Sequence, residues 1–171
     1  MMALSRYFSV GERLQLAHYR QNSRKDSMCL AVEDNRNVRQ SDTNVIVFDC
    51  EEPNGKTWKL DRSRSSGRSW FQIKYTGPTQ ESFDLCVAGQ RPGQDRDFGS
   101  GSQFYLWRCL EDDRTQQFRW TGRRPNSGGY ALAWRQDSDL CLDAKRFSNG
   151  DPVIAYECSR NLLDHQIWAT L

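Results

Sequence analysis

The sequence predicts an all-β fold assembled from three copies of one unit. Three observations carry this reading. Six cysteines fall at positions 29, 50, 86, 109, 141 and 158, and the first, third and fifth of them are spaced 57 and 55 positions apart. Apolar and polar residues alternate with period two over short runs, broken by clusters of Gly, Pro, Asn, Asp and Ser. No segment keeps a helical period for more than a turn or two.

The elements of the unit recur in one order. An alternating segment comes first: RLQLAHY, WFQIKY and YALAWR. A Cys-Leu or Cys-Val pair follows, with a small or acidic residue after it, in SMCLAVED, DLCVAGQR and DLCLDAKR. A second alternating run enters the second cysteine in NVIVFDC, QFYLWRC and PVIAYEC. A polar loop and a core aromatic (Trp58, Phe118 or Trp168) complete the unit. In the second run, the positions five and three before the cysteine are expected in the core: Val45 and Val47, Phe104 and Leu106, Val153 and Ala155. The positions four and two before it are expected to face outward: Ile46 and Phe48, Tyr105 and Trp107, Ile154 and Tyr156. RSRSSGR and GRRPNSGG read as turns inside the repeats, and Arg123-Arg124 before Pro125 reads as a solvated turn in preference to a protease-facing loop.

The whole chain, 1–171, is expected to be a single domain, with repeats at about 12–66, 67–124 and 125–171. One unit is too small to bury its apolar face, whereas three can close a shared core. Hydrophobic residues make up 37% and charged residues 27%, and the net charge is +2 from 24 basic and 22 acidic residues. That balance does not point to nucleic acid, which calls for concentrated basic charge. No apolar run reaches the roughly 18 residues of a membrane span. The cysteines are too far apart for a zinc ribbon and only two histidines are present, so neither a metal nor another cofactor is expected. Six cysteines permit fifteen connectivities in principle.

The third repeat carries a fuller set of groups than the other two. It reads Cys141-Leu142-Asp143, then Asn149-Gly150 and Val153, then Tyr156-Glu157-Cys158, then Gln166-Ile167-Trp168. This order closely resembles the repeat of ricin-B-type β-trefoil lectins and carbohydrate-binding modules, and the resemblance extends from about residue 12 to the end. It implies a β-trefoil with pseudo-threefold symmetry, six strands in a barrel and six in a cap. It also implies disulfides within repeats, Cys29 to Cys50, Cys86 to Cys109 and Cys141 to Cys158, each contributing roughly 3 kcal/mol on the chain-entropy model. In the family, the acid after Cys-Leu accepts hydrogen bonds from sugar hydroxyls. The aromatic before the second cysteine stacks on the sugar, and the residue before the glutamine touches it. The glutamine supports the acid. Those roles fall on Asp143, Tyr156, His165 and Gln166, and Ile154 joins the candidate site on the same outward face as Tyr156. The chemistry suits a pyranose, whose C–H face lies on an aromatic ring while its hydroxyls meet a charged acceptor.

The departures narrow the expectation. Repeat one has Ala31 at the acid position and Lys56 in place of the glutamine; repeat two has Ala88 and Phe118 but keeps Gln116. Alanine cannot accept a hydroxyl proton, so the first two pockets are expected to be dead or weak. His165 stands where the family usually has asparagine, which alters shape and pH response. The plainer readings are a turn-forming acid at Asp143, a half-buried strand aromatic at Tyr156 and an exposed loop residue at His165. The leading function is a lectin-like module, not an enzyme, with one galactose-type site and glycans or glycoproteins as partners. The alternatives are a protein-binding trefoil such as a protease inhibitor with a relic sugar pocket, or the targeting module of a glycoside hydrolase. Paired cysteines favour an extracellular compartment. The opening residues lack a signal-peptide stretch, which leaves a cytoplasmic alternative. The sequence assigns no oligomeric state.

Overall fold

The computed structural model describes residues 14–16, 28–34, 36–40, 43–52, 57–62, 69–89, 98–123, 129–159 and 164–170. Lys56, Arg124 and Pro125, weighed above, lie outside them. The fold is a β-trefoil. Among the described residues twelve strands follow one another: β1 (Leu14–Leu16), β2 (Met28–Val32), β3 (Val45–Asp49), β4 (Trp58–Asp61), β5 (Phe71–Tyr75), β6 (Leu85–Ala88), β7 (Tyr105–Arg108), β8 (Gln117–Arg123), β9 (Tyr130–Trp134), β10 (Leu140–Ala144), β11 (Val153–Glu157) and β12 (Trp168–Thr170). The helical content among the described residues is two single turns of 3-10 helix, Arg114–Gln116 and Asp164–Gln166.

The strands divide by threes into the same four roles. The wall runs β4-β5-β8-β9-β12-β1, every pair antiparallel. The hairpins β2–β3, β6–β7 and β10–β11 stand off this wall, each tied to it at the first cysteine of its repeat: Gln15 opposite Cys29, Lys74 opposite Cys86, Ala133 opposite Cys141. The three hairpins share one register. Leu30 faces Val47, Val87 faces Leu106 and Leu142 faces Ala155, and all six are buried in one core cluster. Period-two alternation therefore does in each copy what strand geometry requires of it.

Trp58, Phe118 and Trp168 lie fully buried in that cluster, with Trp134 and Phe104 packed among them. A buried indole needs a partner for its N–H. Trp58 Nε1 donates to the Leu30 carbonyl and Trp168 Nε1 to the Leu142 carbonyl, each at 2.9 Å. Both bonds run from the last strand of a repeat to the residue after its first cysteine, so each locks a hairpin onto the wall. Phe118 has no such donor. In that region Trp134, from the third repeat, donates to the Thr115 carbonyl at 2.8 Å.

The disulfides join Cys29 to Cys50, Cys86 to Cys109 and Cys141 to Cys158, the pairing that the resemblance implies. Three disulfides in a small domain are consistent with an extracellular location. Among the described residues no helix is long and apolar enough to cross a membrane.

One expectation needs correction. Ile46, Tyr105 and Ile154 do alternate away from the core, but they are buried, not exposed. The three inner strands of the cap meet at the pseudo-threefold axis through the bridges Asn44 to Tyr105, Gln103 to Ile154 and Ile46 to Pro152. Strand pairing between repeats thus closes a second face that a single hairpin would leave to solvent. Farther from the axis the outward face stays open. Phe48 and Trp107 are half-buried and Tyr156 is 45% exposed.

The asparagine and glycine of the third hairpin join it to the first repeat. Asn149 Oδ1 accepts from Asp49 N at 2.7 Å and Gly150 N donates to Val47 O at 2.9 Å. Gly150 sits at φ +87°, a conformation that other residues adopt with strain.

Trp168→Phe is expected to lower the unfolding free energy by about 2–4 kcal/mol, because it strands the Leu142 carbonyl and opens a small cavity. Urea denaturation checks this, and a loss under about 0.5 kcal/mol would mean that the carbonyl finds another partner.

Candidate functional site

Strand register brings the third-repeat residues together. Asp143 in β10 lies directly opposite Ile154 in β11, and Cys141 lies opposite Tyr156. Directly opposite residues share a face, and positions two apart on a strand do too. Asp143, Ile154 and Tyr156 therefore occupy one side of the hairpin, the side away from the barrel core. His165 and Gln166 arrive from the 3-10 turn Asp164–Gln166, just before β12.

The carboxylate of Asp143 is only 2% exposed. Its Oδ2 takes two hydrogen bonds. Gln166 Nε2 donates to it at 2.9 Å, and His165 Nδ1 lies 2.7 Å away. With the acid ionised, His165 Nδ1–H is the donor, which leaves Nε2 to accept when the ring is neutral or donate when it is charged. Among the described residues none bonds to Asp143 Oδ1. The His165 ring is partly exposed and meets Phe147 edge-on at 6.4 Å between centroids. Burial raises the Asp143 pKa above the ordinary carboxylate value, and the Gln166 hydrogen bond and the His165 contact pull it back only in part.

Gln166 has a second task. Its Nε2 also donates to Glu157 O at 2.8 Å and its Oε1 accepts from Ser159 N at 2.9 Å. Repeat two repeats this clamp on the residues flanking its own second cysteine: Gln116 Nε2 donates to Arg108 O at 2.7 Å and Gln116 Oε1 accepts from Leu110 N at 2.9 Å. Ala88 stands where the acid would be. The clamp therefore works without any acid, and the glutamine is first a fold device. In the third repeat its remaining capacity reaches the carboxylate.

Ala31 and Ala88 occupy the register point of Asp143, opposite Ile46 and Tyr105, and both are fully buried. Their pockets present no acceptor at that position. Of the residues expected to form the site, Asp143, His165 and Gln166 make direct contact. Tyr156 offers an exposed ring on the same face. Ile154 is buried behind them at the axis, bridged to Gln103, and so backs the site instead of presenting a surface. Sequence reasoning missed Phe147, whose contact with His165, 18 positions on, depends on how two loops of the same repeat fold together. It also missed the Glu157 carbonyl, because main-chain acceptors leave no trace in residue identity.

A surface pocket of about 360 Å3 lies elsewhere, on the outer barrel wall, lined by Asp61, Gln72, Lys74, Asp84 and Glu111 among others. It contains none of the third-repeat residues. The third-repeat site is instead defined by the hydrogen bonds that converge on Asp143. Among the described residues no group of three His, Cys, Asp or Glu side chains is arranged to hold a metal ion.

No family model and no curated protein matches the sequence. Solved structures do match the fold. A designed threefold-symmetric protein, ThreeFoil, superposes with a TM-score of 0.68 at 20% identity, covering 94% of this chain and 96% of that one. The fold alone is shared at such identities. A mosquitocidal holotoxin matches with a TM-score of 0.67 at 20% identity, over 98% of this chain and 17% of the toxin chain. An exo-β-1,3-galactanase from Clostridium thermocellum, 1,3Gal43A, matches with a TM-score of 0.69 at 12% identity, over 96% of this chain and 30% of the enzyme. The chain thus spans less than a third of either of those two proteins.

The raised Asp143 pKa has a signed consequence for stability. A raised pKa means that the folded state favours the proton, so the acid's contribution is fully present below the unfolded carboxyl pKa and lost as pH rises through the folded value. Asp143→Asn cannot ionise. The stability of the wild type relative to this variant is expected to fall as pH rises above the ordinary carboxyl pKa of about 3.9, and to level off once the folded-state carboxyl is ionised. Urea titrations of both proteins across that range check the slope, and a constant difference would mean that the carboxyl is not destabilised by burial.

Proposed function

We propose that the chain is a carbohydrate-binding module with one competent pocket, in the third repeat, and that it binds galactose-type sugars without acting on them. The observation that carries this reading is the isolated acid. Asp143 stands at a register point held by Ala31 and Ala88 in the other copies, on the same face as the exposed ring of Tyr156. An apolar copy of this unit folds without an acid, so the fold does not require a buried carboxylate there.

In this reading the bonds from Gln166 and His165 aim Asp143, and Oδ1 accepts a sugar hydroxyl in a charge-assisted bond. Tyr156 supplies a ring for the C–H face of the pyranose. His165 contributes Nε2 at the rim. The disulfide Cys141–Cys158 starts at Cys141, directly opposite Tyr156, and stiffens the hairpin ends that set these distances. The matches to parts of a toxin and of a galactanase support a module reading, because in both the same fold is a portion of a larger chain.

A single shallow site binds weakly, and useful avidity needs several sites within reach. Agglutination by the isolated monomer is therefore expected to be poor. Asp143→Ala is expected to abolish retention on a galactose matrix while the protein stays folded, and a glycan array on both proteins reads the sugar preference. Unchanged retention would refute the site.

One observation favours a second reading. Asp143 is almost fully buried and already bonded on Oδ2, which suits an acid absorbed by the fold in a protein-binding trefoil. An array with no glycan bound by the wild type, together with a stable complex with a protein such as a protease, would favour that reading.

A further inference from the structure

On the outer barrel wall two arginines converge on one tryptophan. The wall strands β5, β8 and β9 run side by side, with Phe71 opposite Phe118, Gln72 opposite Gln117 and Arg119 opposite Ala133. Trp70 immediately precedes β5, Arg119 lies within β8 and Arg135 immediately follows β9. The guanidinium carbon of Arg119 is 4.8 Å from the Trp70 ring centroid and that of Arg135 is 5.5 Å from it. Arg135 also donates through Nη1 to Gln117 Oε1. Gln117 is itself buried and donates through Nε2 to Glu111 O at 3.0 Å. The Arg135 fork is held by Gln117 as well as by the ring, and the Arg119 fork by its contact with the ring.

Two guanidinium groups on one ring repel each other, and the negative face of the indole offsets part of that. Among the described residues neither arginine forms an ion pair with a carboxylate, and Arg119 Nε is buried without a hydrogen-bond partner. Lys74, another cation of this wall, is by contrast paired with Asp84. A planar fork matches the geometry of an oxyanion, and a charge-assisted bond to one is stronger than a neutral bond. The neighbouring pocket mixes the acids Asp61, Asp84 and Glu111 with Arg62 and Lys74, whereas the ring of Trp70 carries two guanidinium groups alone. That suits one oxyanion group on a ring-sized carrier and disfavours a continuous phosphate backbone.

We propose that Trp70, Arg119 and Arg135 form an oxyanion-binding surface that takes a sulfate or carboxylate group carried on an acidic saccharide. The saccharide carrier rests on the glycan reading above; the oxyanion does not. This surface lies on the barrel wall and shares no residue with the third-repeat pocket.

Immobilised dextran sulfate, polygalacturonate, neutral dextran and duplex DNA are the probes. The wild type is expected to be retained on an acidic polysaccharide at low salt and not on neutral dextran. Whichever acidic polymer holds it more strongly identifies the anion. The pair Arg119→Gln and Arg135→Gln is expected to weaken retention about tenfold or more. The pair Arg36→Gln and Arg114→Gln removes the same charge from exposed positions elsewhere and is expected to weaken it less than about twofold. Arg119→Lys with Arg135→Lys keeps the charge but loses the fork, and is expected to bind nearly as poorly as the glutamine pair. Asp143→Asn is expected to leave this retention unchanged while it removes binding to neutral galactose, so the two sites fail separately. Should the glutamine pair melt early, sodium sulfate titrated into the wild type supplies the same test. The Trp70 indole N–H resonance, assigned with Trp70→Phe, is then expected to shift. Equal losses in the two glutamine pairs, tighter binding to DNA than to either polysaccharide, or a Trp70 signal unmoved by sulfate would overturn the proposal.

Discussion

Three backbone hydrogen bonds around the pseudo-threefold axis hold the repeats in one arrangement. Leu106 N donates to Thr43 O at 2.9 Å, Val47 N to Asp151 O at 2.9 Å and Ala155 N to Ser102 O at 2.8 Å. Each donor stands three positions before a second cysteine and each acceptor seven positions before the second cysteine of a neighbouring repeat. Within this set every hairpin gives one bond and receives one, and further bonds between repeats, such as Val45 N to Phe104 O and Phe104 N to Val153 O, run beside them, so no hairpin docks alone. Leaving any of these groups unpaired would cost desolvation without return, which makes the closed ring of three the stable solution. Burial of Ile46, Tyr105 and Ile154, and the open outer positions beyond them, follow from that closure.

Within this frame the repeats diverge at few points. The tryptophan that locks a hairpin through its indole N–H is present in repeats one and three and replaced by Phe118 in repeat two. The glutamine clamp around the second cysteine is formed by Gln116 and Gln166. The acid occurs once. Because Gln116 makes the same two main-chain bonds beside Ala88, the clamp predates any use of the acid in the logic of the fold, and Asp143 occupies a position that the clamp can serve. A buried carboxylate opposes folding once it ionises, so keeping one at the single position where two donors reach it is a feature of chemistry more than of stability.

The two surfaces use different physics. The third-repeat site is a buried acid aimed by Gln166 and His165 beside an exposed ring. The barrel wall around Trp70 is a pair of fixed charges with an aromatic between them. In the roles proposed above, the first would select through directional hydrogen bonds to neutral hydroxyls, and the second through charge and the planarity of the guanidinium fork. Their separation on the molecule lets each respond to substitution independently.

Much of this was legible in the residues themselves. The cysteine spacing marks the repeats, and period-two alternation marks the strands and the core positions Val45, Val47, Phe104, Leu106, Val153 and Ala155. Both are local, set by the two-residue repeat of an extended chain. The resemblance of Cys141-Leu142-Asp143 through Gln166-Ile167-Trp168 to a known repeat supplied the trefoil and singled out Asp143 against Ala31 and Ala88. The tertiary structure decided the rest. Ile46, Tyr105 and Ile154 are buried because strands from different repeats pair at the axis, a contact that no single repeat encodes. Asp143 is sealed by His165 and Gln166, whose turn packs over β10 from more than twenty positions away. Trp70, Arg119 and Arg135 meet because β5 pairs with the sequence-distant β8, which also pairs with the strand that follows it, β9. Alternation along a strand is written in neighbouring residues; proximity across strands exists only once the barrel closes.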